Sequence, residues 1–218
     1  MILNDQTARL IAQKLLQIKA IKLKPEQPFT WASGLRSPIY CDNRITLSYP
    51  EVRNLIKEKL TQIIKEKLGE PDIIAGVATA GIPQGVLVAQ ELNLPFIYVR
   101  SAKKSHGMTN QIEGAYEENK TVVVIEDLVS TGKSSLAAVD ALREAGLIIK
   151  GMAAIFTYGL EIADRHFKEK KCDLVTLSDY DHLIKEAVDS HYVKKEEIDS
   201  LMEWRKDPQK WSEEHLTK

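Results

Sequence analysis

From residue 71 to residue 179 the chain switches repeatedly between two hydrophobic periods, and this switching limits the fold more than any other feature. "PDIIAGVA" (71–78), "PFIYVR" (95–100), "KTVVVIED" (120–127), "KGMAAIFTY" (150–158) and "DLVTLSD" (173–179) are short apolar runs and read as strands. Between them residues 82–92, 132–145 and 160–170 read as helices, the second closed by Gly146. Strands that alternate with helices pair in parallel through right-handed crossovers, and their sheet is covered on both faces. The expected fold class is therefore α/β, a central parallel sheet flanked by helices. Such sheets bind ligands at the carboxyl ends of their strands. The loops after residues 76, 100, 125 and 156 should then converge on one site.

Upstream, residues 5–18 read as a helix with Leu10, Ile11, Leu15, Leu16 and Ile18 on one side. Residues 50–68 read as a stronger one. Pro50 suits its start, and Val52, Leu55, Ile56, Leu60, Ile63 and Ile64 recur at helical spacing. The 218 residues suffice for one domain with a buried core. We expect a single domain over 1–218, its core at about 50–180. A small hood is expected from about 1–45 together with the C-terminal segment, because these parts fall outside the alternation.

"VVVIEDLVSTGKSS" (122–135) looks at first like an ATP-binding P-loop. That motif requires a glycine five positions before Gly132, and Asp127 stands there, preceded by Glu126. Residues 122–125 are uniformly apolar, as in a strand buried on both faces, so the two acids are expected where that strand leaves the sheet. The amides of 129–134, with the hydroxyls of Ser130, Thr131 and Ser134, can wrap an anion at the following helix N-terminus. A monophosphate fits so short a turn. The carboxylates would repel a triphosphate but suit hydroxyls and a developing positive charge. A ribose 5-phosphate combines these properties, and an oxocarbenium ion at its C1 would be stabilised by the acids.

Two further loops fit the same ligand. "GVATAGIPQG" (76–85) follows one strand and opens a helix, and its small residues 78–81 let backbone amides approach an anion closely. "RSAKKSHGMTNQIEG" (100–114) begins at the next strand end. Its first seven residues hold Arg100, Lys103, Lys104 and His106 and no acid. A polar, aperiodic run of this kind reads as a lid loop, able to close over a diphosphate and exclude water.

Strand, acid pair, Ser-Thr-Gly and helix together resemble the 5-phosphoribosyl 1-diphosphate (PRPP) motif of the type I phosphoribosyltransferase family. The resemblance implies that family's fold. The lid pattern Arg-x-x-x-Lys-x-His-Gly followed by "NQIEG", and the segment "FTWASGLRSPIYCDNR" (29–44), are similar to the orotate-using branch of the family. Purine-using members share the Glu-Asp loop but not these two stretches. The implied reaction moves the 5-phosphoribosyl group from PRPP to orotate, giving orotidine 5′-monophosphate and pyrophosphate, a step in pyrimidine nucleotide synthesis. By position, Arg100, Lys104 and His106 would contact the diphosphate and act in catalysis with Asp127. Glu126 and Asp127 would bind the ribose hydroxyls. Leu128, Val129, Ser130, Thr131, Gly132, Lys133 and Ser134 would hold the 5-phosphate, and Thr79, Ala80 and Gly81 the pyrophosphate. Ser130 would also touch orotate. Magnesium is implied as cofactor, carried by PRPP with no direct protein ligand, except through water to Asp127. A homodimer that shares the lid between subunits is implied as well. The chain departs from the pattern in places. Some members carry a lysine where Ala32, Ser101 or the Thr79-Ala80 pair stands. An arginine that meets the orotate carboxylate in some members has no counterpart between "FTYGL" and Arg165. Arg36 is the candidate replacement, with an ordinary surface arginine as the alternative.

Composition excludes several other classes. A formal net charge of −1 argues against a general nucleic-acid binder, and a regulator that senses PRPP would usually carry an added DNA- or RNA-binding part. No stretch is apolar enough for a membrane span, and the charged amphipathic N-terminus lacks a signal peptide's pattern, so a cytoplasmic location is expected. Cys41 and Cys172 form no CxxC pair and read as reduced thiols. His166, His182, His191 and His215 lie on charged segments without metal-ligand spacing and read as solvated surface. Trp204 and Trp211 are expected to dock the C-terminal stretch 194–218 onto the domain or onto a partner subunit.

Overall fold

The computed structural model describes residues 1–31, 33–101 and 111–216. Helix α1 (Asp5–Gln17) starts where Asn4 accepts a hydrogen bond from the Thr7 amide at 2.8 Å. The short strands β1 (Ile21–Leu23), β2 (Phe29–Thr30), β3 (Arg36–Ser37) and β4 (Ile39–Cys41) form two antiparallel pairs, β1 with β4 and β2 with β3. A 3-10 helix (Asn43–Ser48) leads into α2 (Pro50–Ile63), which opens on Pro50 and ends in a wider π turn (Ile64–Leu68).

The alternating region follows the expected order of strands and helices, with a short strand at Ile112–Glu113 and a helix at Tyr180–Asp189 added to it. It comprises β5 (Ile73–Val77), α3 (Gly81–Leu92), β6 (Phe96–Val99), β7 (Ile112–Glu113), β8 (Thr121–Val129), α4 (Lys133–Glu144), β9 (Ile148–Thr157), α5 (Glu161–Glu169), β10 (Leu174–Asp179) and α6 (Tyr180–Asp189). These strands make a six-stranded sheet in the order β10-β9-β8-β5-β6-β7, parallel except for β7. The α/β class is as expected. Residues alternate across β8: Val123 and Ile125 join the core beneath α1, α2 and α3, and Val122 and Val124 the core beneath α4 and α5. Two packed faces explain the unbroken apolar run in that strand.

One boundary differs from expectation. β8 does not leave the sheet at Glu126 but continues to Val129, with Glu126 opposite Ala154, Leu128 opposite Phe156 and Val129 opposite Thr157. β9 is long enough to supply partners to these residues, so the acids sit on paired strand and not on a free loop.

The C-terminal segment forms α7 (Ile198–Lys206) and α8 (Pro208–Glu214). Trp204 is fully buried and meets Tyr158, Tyr180 and Trp31 at ring-centroid distances of 5.3, 5.4 and 5.9 Å. Ser212 Oγ accepts from the Arg36 amide at 2.9 Å, joining α8 to the β2–β3 hairpin. The tryptophans thus dock onto their own chain. His182 is also a correction: it is 8% exposed, and its Nδ1 lies 2.7 Å from Asp179 Oδ1. Asp179 caps α6 through the His182 amide, and this places the ring inside the structure rather than in solvent. Both cysteines are free thiols.

Candidate active site

The carboxyl ends of β5 and β8 lie side by side, and each runs into a helix. α3 begins at Gly81 after the loop 78–80, and α4 begins at Lys133 after Gly132. Among the described residues neither helix has a side-chain cap at its N-terminus; in α3 the Ile82 amide turns to the Thr79 carbonyl at 3.3 Å, and the remaining first-turn amides are available to an anion. Gly81 packs on β8 so closely that a Cβ there would overlap the carbonyl oxygen of Ile125. Only glycine allows the two loops this approach. Gly132 adopts φ +76°, and a Cβ there would lie 2.7 Å from the Phe167 ring. Thr79, Lys133 and Ser134 are exposed; Ala80, Leu128, Ser130 and Thr131 are half-buried; Gly81, Val129 and Gly132 are buried.

The two acids have different surroundings. Glu126 is 6% exposed. Its Oε2 accepts from Ser135 Oγ at 2.9 Å and its Oε1 from the Asp127 amide at 3.0 Å. Burial, with the Asp127 carboxylate beside it, pushes its carboxyl up to about 8. Asp127 is half-buried, and burial raises its carboxyl too. The two carboxyls stay within reach of each other, and their contact raises Glu126 and lowers Asp127 against the effect of burial.

The segment 41–46, at the end of β4 and the start of the 3-10 helix, closes in on Asp127. Asn43 Nδ2 donates to the Asp127 carbonyl at 2.7 Å. Arg44 forks onto Asp42 at 2.7 and 2.9 Å, holds that carboxyl below its ordinary range, and its charge also reaches Asp127. The Cys41 thiol is raised by burial and by the Asp127 and Asp42 charges, so it stays protonated. Tyr158, at the end of β9, stacks on Trp31 at 5.7 Å, and burial raises its hydroxyl as well.

The sequence-predicted residues are therefore brought together in part. Thr79 to Gly81 and Glu126 to Ser134 share one rim of the sheet. Arg100 stands at the end of β6. Its backbone pairs with Gln111, and its guanidinium lies 3.6 Å from Glu113. Lys103, Lys104, His106 and Ala32 lie outside the described residues. Arg36 sits in the β2–β3 hairpin, donates to Thr30 Oγ1 at 2.9 Å, and has a buried Nε with no hydrogen-bond partner among the described residues.

Asn43, Ser135 and His166 escaped the sequence reading. Asn43 lies within the segment 29–44 and Ser135 within a helical run, and neither carries a local signal of its role. His166, expected in solvent, is half-buried with Nδ1 at 2.8 Å from the Thr131 carbonyl. No periodicity announces such long-range side-chain bonds.

A phosphoribosyl transferase domain model matches residues 47–191. Over 203 residues the chain is 56% identical to the orotate phosphoribosyltransferase of Phocaeicola vulgatus, covering 93% of this chain and 96% of that relative. The crystal structure of orotate phosphoribosyltransferase from Aeropyrum pernix superposes with a TM-score of 0.73 at 26% identity, over 84% of this chain and 99% of that one. Leishmania donovani UMP synthase superposes with a TM-score of 0.74 at 25% identity, over 90% of this chain but only 42% of that longer protein.

Proposed function

Because the chain belongs to the orotate phosphoribosyltransferase family, we propose a division of labour among its own residues for that family's reaction. The enzyme is a glycosyltransferase that moves the 5-phosphoribosyl group of PRPP onto orotate, forming orotidine 5′-monophosphate and pyrophosphate. One observation carries the assignment of the site: Gly81 lets the 78–81 loop lie against the strand end that bears Asp127.

In this reading the amides of 129–134 and the hydroxyls of Ser130, Thr131 and Ser134 hold the 5-phosphate. The uncapped start of α3, with Thr79, Ala80 and Gly81, receives the diphosphate. Asp127, the more exposed acid, meets the ribose hydroxyls and stabilises positive charge at C1. Glu126 braces it from behind, since both its oxygens are already engaged. Arg100, Lys104 and His106 neutralise the leaving pyrophosphate, and Lys133 adds charge beside the 5-phosphate. Orotate lies between the hood and the end of β9, near Ser130, with Arg36 as its carboxylate partner. The unpartnered Arg36 Nε supports that role. Catalysis here is positioning and electrostatics, without a covalent enzyme intermediate.

Among the described residues no group of three His, Cys, Asp or Glu side chains could hold a metal by itself. The half-buried Asp127 carboxylate suits a magnesium ion that keeps most of its water. Magnesium bound with PRPP would neutralise diphosphate charge, with Asp127 reaching its water. We further propose a homodimer whose 100–106 loops serve neighbouring sites, and a cytoplasmic enzyme. No described helix is long and apolar enough to cross a membrane.

The deciding experiment follows orotate consumption by absorbance, with and without PRPP and magnesium, and repeats it with adenine and hypoxanthine. Turnover only with orotate, PRPP and magnesium is expected. Turnover of a purine in place of orotate would sink the assignment of the base.

A further inference from the structure

β5 pairs with β8 only as far as Gly76 opposite Ile125, so among the described residues that edge of β8 has no strand partner beyond Ile125. The backbone groups of Asp127 are nevertheless held, and by side chains. Its amide donates to Glu126 Oε1 and its carbonyl accepts from Asn43 Nδ2. The second bond begins a buried chain. The Asn43 carbonyl accepts from Thr46 Oγ1 at 2.6 Å, and Thr46 Oγ1 accepts from Gln84 Nε2 at 3.2 Å. Asn43, Thr46 and Gln84 are 1%, 0% and 2% exposed. Gln84 lies on α3, one turn beyond the 78–81 loop.

We infer that the 3-10 helix Asn43–Ser48 is a clamp for the reaction, with Asn43, Thr46 and Gln84 as positioning residues. Through them the helix that opens on the diphosphate loop fixes the backbone of Asp127, and so the direction of its carboxylate. The inference rests on the reading of Asp127 given above. All three donors point the same way, from Gln84 toward Asp127, and the Thr46 hydroxyl, which accepts from Gln84 and donates to Asn43, is polarised by the bond it accepts. Polar groups so deeply buried are costly unless bonded, so the chain has few alternative arrangements. Among the described residues, Oδ1 of Asn43 and Oε1 of Gln84 are buried without a hydrogen-bond partner. The two amides therefore give their donors, not their acceptors, to the chain.

The test uses Thr46→Val, which keeps the shape and removes the hydroxyl, beside Thr46→Ser, which keeps the hydroxyl. Thr46→Val is expected to lower kcat/KM for PRPP about tenfold while KM for orotate stays within about twofold. Thr46→Ser should recover most of the loss. Gln84→Met removes the first donor at similar volume and should act in the same direction, so it decides the matter if the valine variant does not fold. In an Asp127→Ala background, which keeps the backbone carbonyl, Thr46→Val should no longer weaken PRPP binding measured by calorimetry. A folded Thr46→Val enzyme with wild-type kcat/KM for PRPP would overturn the clamp. So would an equal loss of PRPP affinity without the Asp127 carboxylate. Absence of orotate turnover in the unaltered protein would instead strike at the reaction, and PRPP calorimetry would then judge the clamp alone.

Discussion

Ser135, in the first turn of α4, donates its hydroxyl to Glu126 Oε2 at 2.9 Å and so ties one of two adjacent acids into the protein while Asp127 remains at the rim. The contact makes Glu126 a buried carboxyl whose neighbour is a second carboxylate, and both are shifted upward, chiefly by burial.

A pH dependence of stability follows. Glu126 titrates at about 8 in the folded protein against 4.5 when unperturbed. Over that window the folded chain holds a proton that the unfolded chain has lost. Its contribution is therefore full below about pH 4.5 and is lost progressively as pH rises to the folded value of about 8. Asp127 is shifted with the same sign. Glu126→Gln, neutral throughout, should gain stability relative to the parent as urea melts move from about pH 5 to about pH 8. Parallel curves for the two proteins would show that Glu126 is ionised when folded.

Gly81→Ala places a methyl group into the Ile125 carbonyl and must separate the two loops. The expected cost is about 3 kcal/mol in denaturant unfolding, with a raised KM for PRPP. Unchanged PRPP kinetics would mean that the close approach serves only packing.

Lys104→Ala removes a cation from the proposed leaving-group site. Turnover should fall by roughly 10²–10³, as when a donor to a developing charge is deleted. Near-normal single-turnover rates would remove the 100–106 loop from catalysis.

Arg36→Ala should raise KM for orotate about tenfold or more, with KM for PRPP little changed, if its guanidinium meets the carboxylate. Should orotate affinity survive, another cation such as Arg44, whose charge reaches Asp127, becomes the partner to test.

Trp204→Ala empties the junction of Tyr158, Tyr180 and Trp31. A loss of about 3–5 kcal/mol in unfolding free energy is expected. A small loss would show that the C-terminal helices are not needed to hold the hairpin that carries Arg36.

The order of most strands and helices between residues 71 and 179, and the positions of the loops proposed to hold phosphate, were legible in the amino-acid sequence. Hydrophobic period is a local property, and the Glu-Asp pair and Ser-Thr-Gly turn follow their strand directly in the chain. The extension of β8 to Val129 was not legible, because it depends on how far β9 runs beside it. The unlike surroundings of Glu126 and Asp127 required the packing of α4 against that paired strand, which sets Ser135 on Glu126 and leaves Asp127 at the rim. Asn43 meets the Asp127 carbonyl across 84 positions, and His166 meets Thr131 across 35. His182 is buried because α6 packs its first turn inward. Each of these outcomes is a contact between groups that the chain keeps apart, and only the folded arrangement brings such groups within hydrogen-bonding distance.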